Sequence, residues 1–368
     1  MNQPAVPLNM TGNLPPKVPA VFDGEYRMAI DAVFREWAPN DLIGAHQFHG
    51  SARDRAAGAA FLARRFGAAP DPDCIVVTNG TQSSLVMLLA GLVGKGGKLA
   101  IEDLSYPTMR NFTDMLDIGL SPVTMDEEGL QPDALEAVFR TDRPRALYTL
   151  PTLQNPTVVT MSAERRRAIA ALCRKYGVAI IEDDIYSMLP QNAPAPLASF
   201  APEISWYILG TAKCMAAALK VAYLLAPTGD AARANFWPSN RATFWMCAPI
   251  NSAVASTLIE NGGAGRIIDA VRTETRARQA LVSEQLAGSL HRNEPECLHV
   301  WLSLPASRPR EDFVARVRTL GAAISPSDTY FLGGDGAPPN AVRFGTGMAP
   351  TRAGFERGLA AIVNIYRN

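Results

Sequence analysis

The feature that most constrains this chain is an alternation of short apolar runs with amphipathic stretches between residues 70 and 225. Within the amphipathic stretches, apolar residues such as Ile169, Leu172 and Tyr176 recur at helical spacings of three and four. This alternation predicts βαβ units, and therefore an α/β fold with a mostly parallel central sheet and helices on both faces. The predicted strands cover residues 74–78, 99–102, 146–150, 178–182 and 206–209.

Three segments follow from the way this texture changes along the 368 residues. Residues 1–40 form an arm rich in Pro and Asn and a first helix, which we expect to pack with a smaller domain. Residues 41–245 form the large α/β domain, and residues 246–368 form the smaller domain of α+β type.

The pattern of the last segment predicts two long helices and two strands. An Arg-rich amphipathic helix covers residues 264–287, and a closing helix covers 352–366. Apolar residues alternate over 297–304, which indicates a half-buried strand, and 341–344 is a second strand.

Composition argues against several classes of partner. The 35 basic residues are matched by 35 acidic ones and are spread along the chain, so we expect no nucleic acid partner. The five cysteines are widely spaced and odd in number, which argues against a disulfide framework or a metal site and favours a cytoplasmic location. The first residues lack a basic region followed by an apolar one, and no run reaches membrane-spanning length, so we expect no membrane partner.

Chemistry is expected where the strands end, because ligands of open parallel sheets bind beyond the carboxyl ends of the strands. The first strand runs into Asn79, Gly80, Thr81 and Gln82 and then into an apolar helix over 83–92. Free backbone N–H groups and the positive end of a helix suit a phosphate. An ordinary capped turn explains the same residues.

A second polar cluster follows the strand at 178–182, where Asp183 and Asp184 precede Tyr186. A buried carboxylate needs a cation or several hydrogen-bond donors. The cluster therefore indicates either a functional site or a solvated loop.

Lysine is scarce, which allows an elimination among six residues. Four lie in the arm, beside a Gly-Gly turn or on a helix next to an arginine, and Lys213 and Lys220 remain. Lys213 follows a predicted strand and three small residues, which leave room for a bulky group near the backbone. A desolvated lysine has a lowered pKa and is a nucleophile toward an aldehyde. A surface lysine in a loop is the alternative.

Taken in order, several segments of residues 8–366 resemble the pyridoxal 5'-phosphate (PLP) dependent aminotransferases of class I and II, which have fold type I. The overall sequence pattern is most similar to that of the aminotransferase-like domain of MocR-type proteins. The matching segments are Asn79-Gly80-Thr81-Gln82, Ser105-Tyr106-Pro107, Asn155-Pro156-Thr157, Asp183 with Tyr186, Thr211-Ala212-Lys213 and Ala341-Val342-Arg343-Phe344.

The resemblance implies a role for each matched residue. Asp183 would bind the pyridine nitrogen of the cofactor, and Asn155 and Tyr186 would bind its phenolic oxygen. The implied cofactor contacts are Gly80, Thr81, Gln82, Tyr106, Asn155, Asp183, Tyr186, Thr211, Lys213 and Lys220. The implied catalytic residues are Lys213, Asp183 and Tyr186, and the implied substrate contacts are Gly12, Asn155 and Arg343.

The activity implied is transfer of an α-amino group from an amino acid to a 2-oxo acid, through a Schiff base of PLP with Lys213 in a homodimer. The same early steps also serve PLP-dependent lyases, synthases and oxidases. A PLP-binding sensor domain is a less favoured reading, because the stretch before Gly12 is too short for the winged-helix domain of MocR-type proteins.

Three positions depart from the family pattern. Lys220 stands where an arginine usually holds the phosphate, and Val158 stands where a glycine follows the Asn-Pro-Thr segment. Residues 47–50 lack the tyrosine that often reaches the phosphate across the dimer interface. His46 or His49 is a candidate for that role, although an interface or core histidine is the more common reading of either.

Overall fold

Two sheets organise the chain, whose computed structural model describes residues 6–243, 245–334 and 336–368. The strands are β1 (Leu8–Asn9), β2 (Ile75–Thr78), β3 (Lys98–Glu102), β4 (Gly119–Val123), β5 (Met125–Asp126), β6 (Gly129–Leu130), β7 (Ala146–Thr149), β8 (Ala179–Asp183), β9 (Ser205–Gly210), β10 (Ala222–Leu225), β11 (His291–Arg292), β12 (His299–Ser303), β13 (Ala322–Ala323), β14 (Ser325–Pro326) and β15 (Ala341–Gly345). The α-helices are α1 (Pro19–Glu36), α2 (Pro39–Ile43), α3 (Ala52–Phe66), α4 (Thr81–Leu88), α5 (Thr108–Leu116), α6 (Pro132–Thr141), α7 (Ala163–Tyr176), α8 (Gly229–Thr243), α9 (Pro249–Glu260), α10 (Gly263–Gln285), α11 (Arg310–Thr319) and α12 (Arg352–Arg367).

The larger sheet has the strand order β2-β10-β9-β8-β7-β3-β4. Only β10 is antiparallel to its neighbours in this sheet, so the predicted mostly parallel sheet is confirmed. Leu147 and Ile180 face one hydrophobic core, and Tyr148 and Ile181 face another, so helices cover both faces. Because β10 runs the other way, its first residues lie at the edge where the other strands end.

The five predicted strands appear as β2, β3, β7, β8 and β9. The sequence did not indicate β4, which contains Gly119 and Pro122 and lies at the edge of the sheet, where proline is tolerated.

The smaller sheet is antiparallel, in the order β11-β12-β15-β14, and it has its own hydrophobic core with α11 and α12. The prediction of a half-buried strand over 297–304 is wrong for one face of β12. Val300 and Leu302 lie in the core of this sheet, but His299 and Trp301 on the other face are buried as well. That face is covered because it packs toward the larger sheet and the arm.

The arm is fixed to β13 and to β15 before it reaches the cavity. Strand β1 pairs with β13 in parallel, and the Gly345 N–H donates to the Met10 carbonyl oxygen at 2.7 Å. A Cβ on Gly345 would lie 1.9 Å from the Gly12 carbonyl oxygen, so this close approach requires glycine. The division of the chain at 40/41 and 245/246 stays a prediction.

In the described residues, no helix combines the length and the apolar character needed to cross a bilayer.

Candidate active site

A cavity of about 470 Å³ lies at the carboxyl edge of the larger sheet, and the arm and β15 line its other side. Its lining includes all the predicted site residues except Thr211. Those residues are Gly12, Gly80, Thr81, Gln82, Tyr106, Asn155, Asp183, Tyr186, Lys213, Lys220 and Arg343. Thr211 is buried beside the cavity, and its hydroxyl donates to the Val221 carbonyl oxygen at 3.0 Å. Its predicted cofactor contact stays a prediction.

Lys213 stands in a 3-10 turn directly after β9. Its Nζ donates to the Asn13 carbonyl oxygen at 2.5 Å. Burial, together with the nearby Arg343, lowers the pKa of Lys213 to about 8, against an opposing effect of Asp183. The deprotonated, nucleophilic fraction of the amine near neutral pH is therefore larger than that of an ordinary lysine.

Asp183 is the last residue of β8, and it presents one bonded and one open oxygen. Its Oδ2 accepts a hydrogen bond from the Tyr148 hydroxyl at 3.0 Å. Its Oδ1 is buried without a partner among the described residues. Burial raises the pKa of Asp183 to about 6. An open buried carboxylate oxygen is costly unless a ligand supplies a donor.

Arg343 on β15 holds the opposite side of the cavity. Its Nη1 donates to Asn155 Oδ1 at 2.9 Å, and its Nη2 donates to the Thr11 carbonyl oxygen at 2.6 Å. The guanidinium lies 5.1 Å from the centre of the Tyr330 ring. Its Nε is buried without an acceptor in the part of the chain that the structure describes. A planar cation with a free donor suits a carboxylate.

The start of α4 forms the end of the cavity that suits a phosphate. Gly80 has a φ of +83°, which favours glycine, and α4 begins at Thr81 without a side-chain cap. The free N–H groups of the first turn and the helix dipole therefore face this end. Lys220, at the turn before β10, adds a positive charge, and Gln82 Nε2 donates to the Tyr106 hydroxyl at 2.9 Å.

The structure also places the residues of the other two departures. Val158 takes a left-handed conformation, with φ of +69°, although a β-branched residue disfavours it. Its N–H donates to the Gln154 carbonyl oxygen at 2.7 Å, which closes the turn around Asn155. Neither His46 nor His49 is among the residues that line the cavity, so a role for either across a dimer interface stays a prediction.

Sequence reasoning missed four residues at or behind the cavity: Asn13, Tyr148, His299 and Tyr330. Tyr148 is a polar residue inside an apolar strand, and this signal was available. The other three reach the site from segments far away in the chain, so no local pattern points to them.

A family model described as aminotransferase class I and II matches residues 36–319. A transcriptional regulator of Bacillus subtilis, "Uncharacterized HTH-type transcriptional regulator YdeF", is 27% identical over 301 residues, which are 81% of this chain and 64% of the relative. A second, YcxD, is 26% identical over 70% of this chain and 60% of its own length. This chain thus spans less than two thirds of both regulators. "2-aminoadipate transaminase" of Thermus thermophilus is 24% identical over 75% of this chain and 71% of its own length.

Solved structures share the fold. The α-aminoadipate aminotransferase LysN of Thermus thermophilus, complexed with N-(5'-phosphopyridoxyl)-L-leucine, has a TM-score of 0.84 at 24% identity, over 98% of this chain and 92% of that one. The kynurenine aminotransferase of Pyrococcus horikoshii has a TM-score of 0.86 at 19% identity, over 99% and 91%. The predicted fold type I is therefore confirmed.

Proposed function

From the premise that this chain belongs to the aminotransferase class I and II family, we propose that it is a PLP-dependent aminotransferase. It would transfer the α-amino group of an amino acid to a 2-oxo acid, with Lys213 as the residue that binds the cofactor. The observation that carries this proposal is that Lys213, Asp183 and Arg343 line one cavity, while Asp183 Oδ1 and Arg343 Nε are buried without partners among the described residues.

The residues present fit the cofactor. The buried Asp183 Oδ1 lacks a donor, and a protonated pyridine nitrogen would supply one. The uncapped first turn of α4, with Lys220 nearby, offers N–H groups and positive charge for the phosphate. Tyr106, Asn155 and Tyr186 also line the cavity and would hold the ring. When bound, PLP supplies an aldehyde that condenses with amines and a ring that withdraws electrons from the substrate carbon.

The chain's own groups then move the proton and orient the substrate. Lys213, with a pKa lowered to about 8, would take the proton from the α-carbon of the substrate and deliver it to a carbon of the cofactor. Asp183, with a pKa of about 6, is ionised at neutral pH and would keep the ring nitrogen protonated. Arg343 would hold the substrate carboxylate through its free Nε and fix the orientation of the bond that breaks.

The proposal extends to a cytoplasmic homodimer. The large apolar side chains Met28, Phe34, Trp37 and Ile43 are exposed along α1 and the segment after it, as expected of a surface that a second copy covers. All five cysteines are free thiols, which suits a reducing compartment. Sedimentation of the cofactor-loaded protein should give a dimer, and a fully active monomer would contradict this part.

Cofactor attachment is tested first. Protein purified with PLP should be yellow, and borohydride should remove the colour and fix the cofactor to the peptide that contains Lys213. Lys213→Ala should be colourless. The matched change Lys220→Ala affects the other lysine of the cavity, and it should keep the colour and the labelled peptide. Colour and activity that persist in Lys213→Ala would sink the proposal.

Turnover is tested with a panel of amino acids, with and without 2-oxoglutarate. Transamination should convert the amino acid to its keto acid only as the 2-oxo acid is consumed, without release of ammonia or uptake of oxygen. Release of ammonia without consumption of the 2-oxo acid would instead identify a lyase, and uptake of oxygen would identify an oxidase. A change of colour without any product would identify a sensor.

A further inference from the structure

A buried chain of hydrogen bonds leads from the larger domain to the cavity. His299 Nε2 lies 3.0 Å from the Gln154 carbonyl oxygen, and His299 Nδ1 lies 2.9 Å from Asn13 Nδ2. The same Asn13 Nδ2 lies 2.9 Å from the Tyr186 hydroxyl oxygen. All four residues are buried, with His299 fully so. Water therefore does not compete for these bonds.

The bond to the Gln154 carbonyl oxygen determines which ring nitrogen of His299 carries the hydrogen. A carbonyl oxygen only accepts, so Nε2 must carry a hydrogen. Burial and the nearby Arg343 lower the pKa of His299 well below its usual value, so the ring holds a single proton near neutral pH. Nδ1 is therefore an acceptor. The Cys297 thiol lies 3.4 Å from Nδ1, and burial raises its pKa to about 12, so it faces Nδ1 as a protonated group.

The second link sets the orientation of Asn13. Because Nδ1 accepts, the Asn13 side chain must present its NH2 group rather than its oxygen, a choice that geometry alone leaves open for an amide. The NH2 group has two hydrogens, and the second one reaches the Tyr186 oxygen. The Tyr186 oxygen accepts in this bond, so its own hydrogen is left to point elsewhere.

Tyr186 lines the cavity, and burial raises its pKa above the usual value, so it keeps this hydrogen at neutral pH. Asn13 also contacts Lys213, because the main-chain carbonyl oxygen of Asn13 accepts a hydrogen bond from Lys213 Nζ. One arm residue thus contacts both Lys213 and Tyr186.

We propose that Asn13 and His299 are positioning residues, which together turn the Tyr186 hydroxyl hydrogen toward the phenolic oxygen of the bound cofactor. The inference rests on the proposed function, since the acceptor is the cofactor. An Asn13 side chain that only accepted hydrogen bonds would draw the Tyr186 hydrogen to itself. The cofactor oxygen would then lose a donor that favours its ionised form.

A direct test is the protonation of His299 in the cofactor-loaded protein. The chain has only four histidines, so a 15N spectrum of histidine-labelled protein is simple, and loss of a signal in His299→Gln assigns it. His299 should be neutral, with its hydrogen on Nε2, between about pH 6 and pH 8. A hydrogen on Nδ1, or a charged ring at neutral pH, would overturn the inference.

A second test is Asn13→Asp, which keeps the shape of the side chain but removes its donors. The pH midpoint of the visible absorption band should rise by about one unit, a tenfold change in proton affinity. Asn9→Asp is the matched control. Asn9 lies in the same arm and is exposed, and its side-chain oxygen accepts from the Thr11 N–H and from the Thr11 hydroxyl, so the midpoint should not move.

The added negative charge is separated from the loss of the donor by a double-mutant cycle. In Tyr186→Phe there is no hydroxyl to turn, so Asn13→Asp should shift the midpoint by less than half as much there. An equal shift in both backgrounds, or no shift in either, would refute the role of Asn13. If the protein binds no PLP at all, the proposed function fails, and the same histidine spectrum of the cofactor-free protein still decides the orientation of the chain of bonds.

Discussion

The two sides of the cavity are built in different ways. On the sheet side, Asp183 and Lys213 directly end or follow a strand, and the neighbouring residues set their positions. On the arm side, contacts join parts of the chain that are far apart: Arg343 and Thr11 are 332 positions apart, and Lys213 and Asn13 are 200 apart. The sheet side thus supplies reactive groups through local topology, whereas the arm side exists only after the chain has closed on itself.

The contrast also appears in how the two cations are satisfied. Lys213 and Arg343 both donate to carbonyl oxygens of the arm, at Asn13 and Thr11. A carbonyl dipole satisfies the donors without cancelling the charge, as a carboxylate would. The arm therefore orients both cations and leaves their charge available for an anionic ligand.

The largest expected effect lies on the sheet side. Asp183→Asn should lower kcat about 1000-fold, because a neutral amide cannot keep the cofactor nitrogen protonated. Asp103→Asn is the matched control: Asp103 follows β3 at the same edge, and burial raises its pKa to about 6 as well, but it does not line the cavity. Its kcat should stay close to that of the unaltered protein. Equal losses in both variants would mean that burial, not contact with the ligand, explains the effect.

On the arm side, Arg343→Lys should lower kcat/KM about 100-fold, mostly through KM. The arginine binds Asn155 and Thr11 through its two Nη atoms and keeps Nε for a carboxylate. Lysine keeps the positive charge but has a single nitrogen, so it cannot make these contacts together. Steady-state kinetics over a range of amino acid concentrations would measure the change. The same substitution at the exposed Arg352, which pairs with Glu274, should leave KM unchanged. An unaltered KM in Arg343→Lys would remove Arg343 from substrate binding.

The smallest effect concerns the place where the two sides meet. The pKa of Lys213 falls from 10.5 to about 8 on folding, so the folded chain binds fewer protons than the unfolded chain between these values. Stability should therefore rise with pH across this window, and the cost of burying the charge is fully present below pH 8. Lys213→Met should stabilise the cofactor-free protein by roughly 1 kcal/mol below pH 8, and the gain should shrink as the pH approaches 10.5.

Thermal unfolding of cofactor-free protein at several pH values would measure this difference. Lys220→Met is the control, because Lys220 is exposed at the same cavity and its removal should change the stability only slightly. A gain from Lys213→Met that is constant with pH would show that packing, not the buried charge, is responsible.

Much of the fold was predictable, because apolar runs of strand length alternate with amphipathic helical stretches. In a parallel sheet, the polar residues that follow these runs lie at one edge. The strands β2, β3, β7, β8 and β9 are of this kind. The edge strand β4 was not, since its glycine and proline are typical of turns. The burial of His299 and Trp301 was not predictable either, because what covers one face of β12 lies elsewhere in the chain.

The sequence by itself determined the parallel sheet and the polar residues at its carboxyl edge, because these depend on periodicity and on neighbours in the chain. It narrowed the candidate lysines to two. It also carried the family resemblance. Only the tertiary structure decided which buried atoms lack a partner among the described residues, such as Asp183 Oδ1 and Arg343 Nε, and that Asn13 meets the Tyr186 hydroxyl. Hydrogen-bond direction depends on every partner at once, and these partners come together only when the arm, the larger sheet and the smaller sheet are packed.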